Sequence, residues 1–432
     1  MVLLGIFIII FVLLLVFWPT MGYGRANIRQ PNTTLPDDTS VDFEELLNTQ
    51  CPKTGDHYLV VGAGFLGSKL IHALLLRGEE RVRAFDIDPT ALAPELRDHP
   101  HVEFVQGDVT RLEDIQGACN GVDTVFCTFA IIRFFERLPA YACLSERINV
   151  HGTANVVRAC LDEGIKRLIQ TSTSNVCLAR ELVHLEMTEE SPYVTTSNSP
   201  NHYGWTKALA EQRILAANGQ TWANGKGHIT TASIRPCSGI FGRRDKLNLE
   251  RIFELDRALM LMPRTYLDWV FVDNVAWGHL LLEQAMQAGQ SQINGEVFCV
   301  SNDEPMTFES FYNSVKTFYP ALQINYMPHV LPRIIAHSVE ALQRFIPNRL
   351  TPRTIGGLAI LTPALFNTCL DYVFTTTKAK DILGYKPIYT VDQGIQKAIR
   401  EHASDTLLPP LHRDGVYADQ RSAAPRTPLE SP

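Results

Sequence analysis

The sequence predicts an α/β chain built on a doubly wound parallel sheet, and three observations carry that reading. From His57 onward, short apolar runs alternate with stretches at helical spacing; a glycine turn joins the first run to the first helix; and an acidic residue, Asp86, ends the second run. Strands separated by helices need crossover connections, which make the sheet parallel and place helices on both faces.

The elements follow in order. Tyr58–Val61 is the first strand, and Gly62–Leu76 continues at helical spacing. Val82–Asp86, Val102–Val105 and Thr124–Phe129 are the next strands, with a helix at Ile115–Cys119. A helix over Asn149–Glu163 leads to a strand at Arg167–Thr171, and a strand at Ile229–Ile234 ends in Arg235 and Pro236. Beyond it the pattern loosens into a helix at Val275–Ala288, a strand at Glu296–Val300 and a helix at Phe308–Tyr319.

The chain therefore divides into an apolar segment over 1–19, a polar linker over 20–54 and a nucleotide-binding domain over 55–235. A smaller, irregular substrate-binding lobe over 236–403 and a disordered tail over 404–432 complete it. Within 328–363, Arg333, Glu340, Arg344 and Pro363 interrupt two apolar stretches. These suit a substrate-pocket wall or a segment lying on a membrane surface equally well.

Val2–Trp18 is wholly apolar. As a helix it spans about 25 Å, slightly short of a hydrocarbon core of about 30 Å. Trp18 and Tyr23 suit the interface. No Lys or Arg precedes the run and no small-residue cleavage site follows it, which favours a single-pass anchor over a cleaved signal peptide. Arg25 and Arg29 place the rest of the chain in the cytosol, where the sequon at Asn32 would be silent.

The net charge of −7 over 432 residues, with no basic stripe, argues against a nucleic-acid partner. Nine cysteines without a Cys-x-x-Cys pair read as reduced, packed thiols and give no metal site.

Gly62, Gly64 and Gly67 form a Gly-x-Gly-x-x-Gly turn between strand and helix, and Asp86 lies 19 residues after Gly67. In that setting Gly62 permits the tight turn, Gly64 the approach of a pyrophosphate, and Gly67 close packing of helix on strand. The helix N-terminus meets the phosphates. Asp86 accepts hydrogen bonds from a ribose diol and repels a 2′-phosphate, so NAD is favoured over NADP. After the third strand, Asp108 in Gly107-Asp108-Val109-Thr110 either reaches the adenine or caps the helix near Leu112; the residues do not choose between these.

Tyr203 and Lys207 stand one helical turn apart, about thirty residues after Thr171-Ser172-Thr173. A tyrosine titrates near 10, so acting as a base near neutrality needs a shift of about 3 units, or about 4 kcal/mol. A lysine beside it favours the tyrosinate, and the Thr173 hydroxyl would hold an alcohol beside the phenol. The spacing alone is weak: 13 Tyr and 11 Lys give a chance pair roughly one time in three. Tyr312 and Lys316 form such a pair on an amphipathic helix with no Ser/Thr-tipped strand before it.

Together with Asn149-Val150-His151-Gly152-Thr153, Arg235-Pro236, Phe271-Val272-Asp273-Asn274-Val275 and Leu383-Gly384-Tyr385-Lys386-Pro387, these segments give the chain its likeness. From about His57 to Glu401 it resembles an extended short-chain dehydrogenase/reductase with a Rossmann fold. Within that superfamily it is similar to the 3β-hydroxysteroid dehydrogenases, which include the sterol-4α-carboxylate 3-dehydrogenases. The resemblance implies Tyr203 as general acid/base, Lys207 as the group that lowers its pKa and holds the nicotinamide ribose, and Thr173 as the orienter of the substrate hydroxyl. Asn149 becomes a proton-relay residue, for which a helix N-cap is the alternative. Gly62, Gly64, Phe65, Leu66, Gly67, Asp86, Asp108, Val109, Lys207 and Pro236 become the NAD contacts. Three departures stand out: the tight spacing of the glycines, Thr173 where Ser is commoner, and Cys127 and Phe129 where His and Ala are common. Nothing identifies a separate isomerase acid/base.

The implied activity is oxidation of the 3β-hydroxyl of a steroid or sterol, with or without loss of a C4 carboxylate, by an enzyme anchored in the endoplasmic reticulum; a homodimer is compatible with this. The alternatives are a reductase or epimerase of another alcohol, such as a flavonoid or nucleotide sugar, and a non-catalytic NAD-binding membrane sensor or scaffold.

Overall fold

The computed structural model describes residues 43–133, 139–179, 186–237, 239–327, 330–346 and 371–406. The apolar segment read as an anchor lies outside them, as does most of the segment over 404–432 that the sequence reads as a tail. Among the described residues no helix is long and apolar enough to cross a membrane.

Seven strands form one parallel sheet: β1 Tyr58–Val61, β2 Val82–Asp86, β3 Val102–Gln106, β4 Thr124–Cys127, β5 Arg167–Thr171, β6 Thr230–Pro236 and β7 Val297–Val300. Their spatial order is β7-β6-β5-β4-β1-β2-β3, which reverses direction at β1 and β4, the switch point where α/β sheets open a crevice. Every residue of β1 is buried, as expected where helices cover both faces. Its side chains alternate: Tyr58 and Val60 join one core, Leu59 and Val61 the other.

Helix α1, Phe65–Leu76, and helix α5, Val272–Gln287, fill the first face, with Leu70, Ile71, Leu74 and Leu280 in its core. On the second face lie α2, Leu112–Cys119, and α3, Thr153–Glu163, which supply Ile115, Val156 and Cys160. Helix α4, His202–Ala216, buries Ile214 in this second core.

The structure corrects three boundaries. The sheet does not end at residue 235, because β7 from the supposed substrate lobe pairs with β6, Val300 opposite Pro236. The linker contains a helix, Phe43–Gln50, with Phe43 and Leu47 buried in the first core and the Phe43 ring 6.2 Å from that of Trp277. The final helix, Val391–Thr406, runs past the expected start of the tail.

Short paired strands and helices make up the remainder, and Trp269 stacks on Phe311 with ring centroids 3.7 Å apart. Both belong to the first core, so lobe and sheet share one apolar interior. Part of the ambiguous segment is a helix, Val330–Phe345; residues 347–370 lie outside the described set.

Candidate active site

The site collects at the C-terminal ends of β1, β4 and β5. At β1 the glycines are tightly constrained. Gly62 has φ +99°, and a Cβ there would lie 2.5 Å from the Phe129 nitrogen; at Gly67 a Cβ would reach 1.9 Å from the Gly62 carbonyl oxygen. A Cβ at Gly64 would meet nothing within 4 Å, and Gly64 caps α1 with no side chain bonded to the free amides. The helix end is thus open to an anion. Phe65 and Leu66 begin that helix, Leu66 turned into the core.

Asp86 ends β2 beside the turn, its carboxylate accepting the Ala63 N–H at 2.9 Å and the Asp88 N–H at 3.1 Å. Burial pushes its pKa up, and the backbone donors oppose that. The open Gly64, uncapped helix end and Asp86 fit a dinucleotide with a free ribose diol. Asp108 does not cap α2, whose N-cap position is Arg111; its carboxylate accepts the Thr110 N–H at 2.8 Å and so shapes the turn. Val109 gives its carbonyl to Asn155 at 2.9 Å. Pro236 lies buried at the tip of β6, away from the turn by two strands.

Tyr203 stands in the first turn of α4, capped by Asn201, whose side chain accepts the Gly204 N–H at 2.8 Å. Its phenol is buried and hydrogen-bonded to the Thr173 hydroxyl. Lys207 is also buried, and its Nζ donates to the Thr171 carbonyl at 2.8 Å. Tyr203, Thr173 and Lys207 therefore converge as the spacing implied. The electrostatics differ from expectation. Burial pushes the Tyr203 phenol up to about 12, and the opposing influence is Thr173, not Lys207. Burial also lowers the Lys207 pKa, against Cys127 and Glu211. The Lys207 Nζ is anchored on the Thr171 carbonyl rather than on the phenol oxygen's partner Thr173.

Asn149 is neither helix cap nor free. It sits in a wide π-helical segment, Glu146–Gly152, a type that recurs at functional sites. Its Oδ1 accepts the Ile131 N–H at 2.9 Å, and its Nδ2 donates to the Ile131 carbonyl and to Thr206, both at 3.1 Å. Thr206 in turn donates to the Tyr203 carbonyl at 2.9 Å. Asn149 thus ties the loop after β4 to the Tyr203 helix.

Phe129 and Cys127 flank this junction. Phe129 abuts Gly62 and Gly152; Cys127 is buried, its thiol pushed up to about 12 by burial and drawn down by Lys207. Tyr312 and Lys316 lie elsewhere, Tyr312 stacked on Phe308 and Lys316 exposed. One neighbour escaped the sequence reading: Asn175, whose N–H and side-chain amide both donate to Thr173 Oγ1. An Asn two residues after a Thr is a turn pattern that offers the signal.

The 3-beta hydroxysteroid dehydrogenase/isomerase family model matches residues 59–324. Short-chain dehydrogenase/reductase family 42E member 1 of Mus musculus is 32% identical over 337 residues, covering 76% of this chain and 82% of its own. The decarboxylating sterol-4-alpha-carboxylate 3-dehydrogenase of Bos taurus is 30% identical over 372 residues, covering 82% of this chain and 94% of its own. Among solved structures, a dTDP-glucose 4,6-dehydratase of Streptomyces venezuelae, with NAD bound, superposes with a TM-score of 0.59 at 18% identity, over 81% of this chain and 97% of that one; it shares the fold. The chain belongs to the 3-beta hydroxysteroid dehydrogenase/isomerase family and is an NAD-dependent oxidoreductase.

Proposed function

We propose that the protein is a membrane-anchored dehydrogenase that oxidises the 3β-hydroxyl of a sterol or steroid to a ketone, with its catalytic domain on the cytosolic face of the endoplasmic reticulum. The observation that carries the reaction type is the buried phenol of Tyr203 bonded to Thr173 at the tip of β5, beside Lys207 and the open glycine turn. The sterol rests on relatives: the Bos taurus enzyme above, and a 3-beta-hydroxysteroid dehydrogenase of Mycolicibacterium neoaurum, 30% identical over 389 residues. The apolar Val2–Trp18 run supports an anchor, which suits a substrate that partitions into bilayers.

In this reading Thr173 holds the Tyr203 oxygen in place beside the substrate hydroxyl, and the Tyr203 phenolate takes the hydroxyl proton. The turn from Gly62 to Gly67 and Asp86 would hold NAD, which when bound supplies the hydride acceptor. Lys207, fixed on the Thr171 carbonyl, stands ready to donate to a ribose hydroxyl from its remaining protons. Where the sterol carries a C4 carboxylate, the new C3 ketone lets it leave as carbon dioxide.

The test is NADH formation by the full chain in detergent, with 3β-hydroxysterols bearing or lacking a C4 carboxylate. Turnover of either, lost by a factor of at least 10³ in Tyr203→Phe while NAD still binds, supports the reading. Turnover of nucleotide sugars but no sterol would overturn the substrate class. Full activity in Tyr203→Phe would overturn the mechanism.

A further inference from the structure

A hydroxyl beside a general base acts differently as donor and as acceptor, and the neighbour of Thr173 selects between the two. Thr173 Oγ1 accepts the backbone N–H of Asn175 at 3.3 Å and the Asn175 side-chain amide at 3.1 Å. A hydroxyl oxygen has two lone pairs and one proton. With both lone pairs engaged, the proton is left for the phenol oxygen of Tyr203, to which Thr173 is bonded.

Asn175 is itself held from two sides. It lies in the single turn Ser174–Val176, which Thr173 caps. Its carbonyl meets the first turn of α4 at Gly204, where a Cβ would come within 2.6 Å of the carbonyl oxygen. Glycine at 204 is what lets the Tyr203 helix and the Asn175 turn approach so closely.

We infer that Asn175 is a positioning residue of the reaction: its amide fixes the Thr173 hydroxyl as a donor toward the Tyr203 oxygen and so favours the phenolate that receives the alcohol's proton. Thr173 keeps its own proton throughout; the one that moves goes from the substrate hydroxyl to Tyr203. This rests on the role proposed above for Tyr203. A donated hydrogen bond stabilises the charged form, whereas a hydroxyl that accepts from the phenol stabilises the neutral form. Three titratable groups on the same and neighbouring elements have settings of their own. Lys207 is on the Thr171 carbonyl, His202 faces Glu146 at 3.2 Å, and Cys127 is a buried thiol in β4.

Asn175→Asp keeps the shape and replaces the amide donor with an acceptor, which draws the Thr173 proton away from the phenol. In the pH profile of kcat/KM for sterol oxidation, the limb on which Tyr203 loses its proton moves up by about one unit or more. At neutral pH kcat/KM falls about tenfold or more. Asn175→Ala shows a smaller shift of the same sign, and in both the dissociation constant for NAD stays within about twofold. A merely structural role would lower the melting temperature without moving the limb. In crystals of Asn175→Asp the Thr173 hydroxyl turns from Tyr203 to the new carboxylate, a readout that needs no turnover. An unmoved limb, or an unmoved Thr173, overturns the inference; if Tyr203→Phe is inactive in the same assay, the proposed function survives that failure.

Discussion

Asp86 does two things with one carboxylate. Its oxygens accept backbone N–H groups from Ala63 and Asp88, so it braces the glycine turn, and it is also the proposed ribose contact. The proposed ribose contact was read from the 19-residue offset from Gly67; the bond to Ala63 depends on the fold of the turn and leaves no mark in the spacing. Asp86→Asn separates the roles, because it keeps an oxygen for Ala63 and removes the charge. The preference for NAD over NADP, taken as the ratio of kcat/KM values, should narrow by about tenfold or more, since about 1.4 kcal/mol of repulsion is one factor of ten. An unchanged ratio would leave Asp86 with only its structural part. Asn149 and Asn175 make the same point. Their residue types were visible, but a polar side chain acquires its task from partners such as Ile131, Thr206 and Thr173 that only the fold supplies.

At the scale of elements, β5 and α5 couple the site to the core through one histidine. Thr171 gives its carbonyl to Lys207, and its hydroxyl meets His279 Nε2 at 2.7 Å. His279 Nδ1 lies 2.8 Å from the Val275 carbonyl, which can only accept, so Nδ1 carries the proton and Nε2 takes the Thr171 O–H. Complete burial pushes His279 down to about 4. An unfolded histidine titrates near 6.5, so between those values the unfolded chain binds a proton that the folded chain refuses. Its influence on stability is therefore neutral above about pH 6.5 and increasingly unfavourable as pH falls toward 4, by about 3 kcal/mol in all. His279→Gln cannot titrate. Urea unfolding at pH 7 and pH 4 should show wild type losing about 3 kcal/mol more than this variant. Parallel losses would mean that His279 accepts a proton without cost. Neither the sheet's alternation nor the motifs pointed to this link, because a lone histidine within an apolar helix has no pattern of its own.

Across the whole molecule, the parts that could be read from sequence were those carried by short-range pattern: β1 to β7 as separate strands, the glycine turn, and the helical spacing of Tyr203 and Lys207. What escaped depends on contacts distant along the chain. The pairing of β7 with β6 was one such feature, and the helix Phe43–Gln50 was another, because an isolated eight-residue helix has no stability of its own and looks like a linker. Its docking decides how far the folded core reaches into the segment before residue 55. Phe43 and Leu47 bury their side chains against the core that includes Trp277, which contributes about 1.5–3 kcal/mol each. A chain starting at residue 40 should therefore melt with the full-length protein while leaving the Val2–Trp18 run behind. A chain starting at residue 55, the boundary that composition suggested, should be less stable by about 3–6 kcal/mol, a loss comparable to much of a typical domain's net stability. Thermal and urea unfolding of the two truncations side by side distinguish these outcomes. Equal melting would show that the helix rests on the core without supporting it, and the polar segment before residue 55 would then be a linker after all. Unequal melting makes Phe43–Gln50 an integral part of the fold, packed against α5 and, through His279 and Thr171, linked to Lys207 of α4.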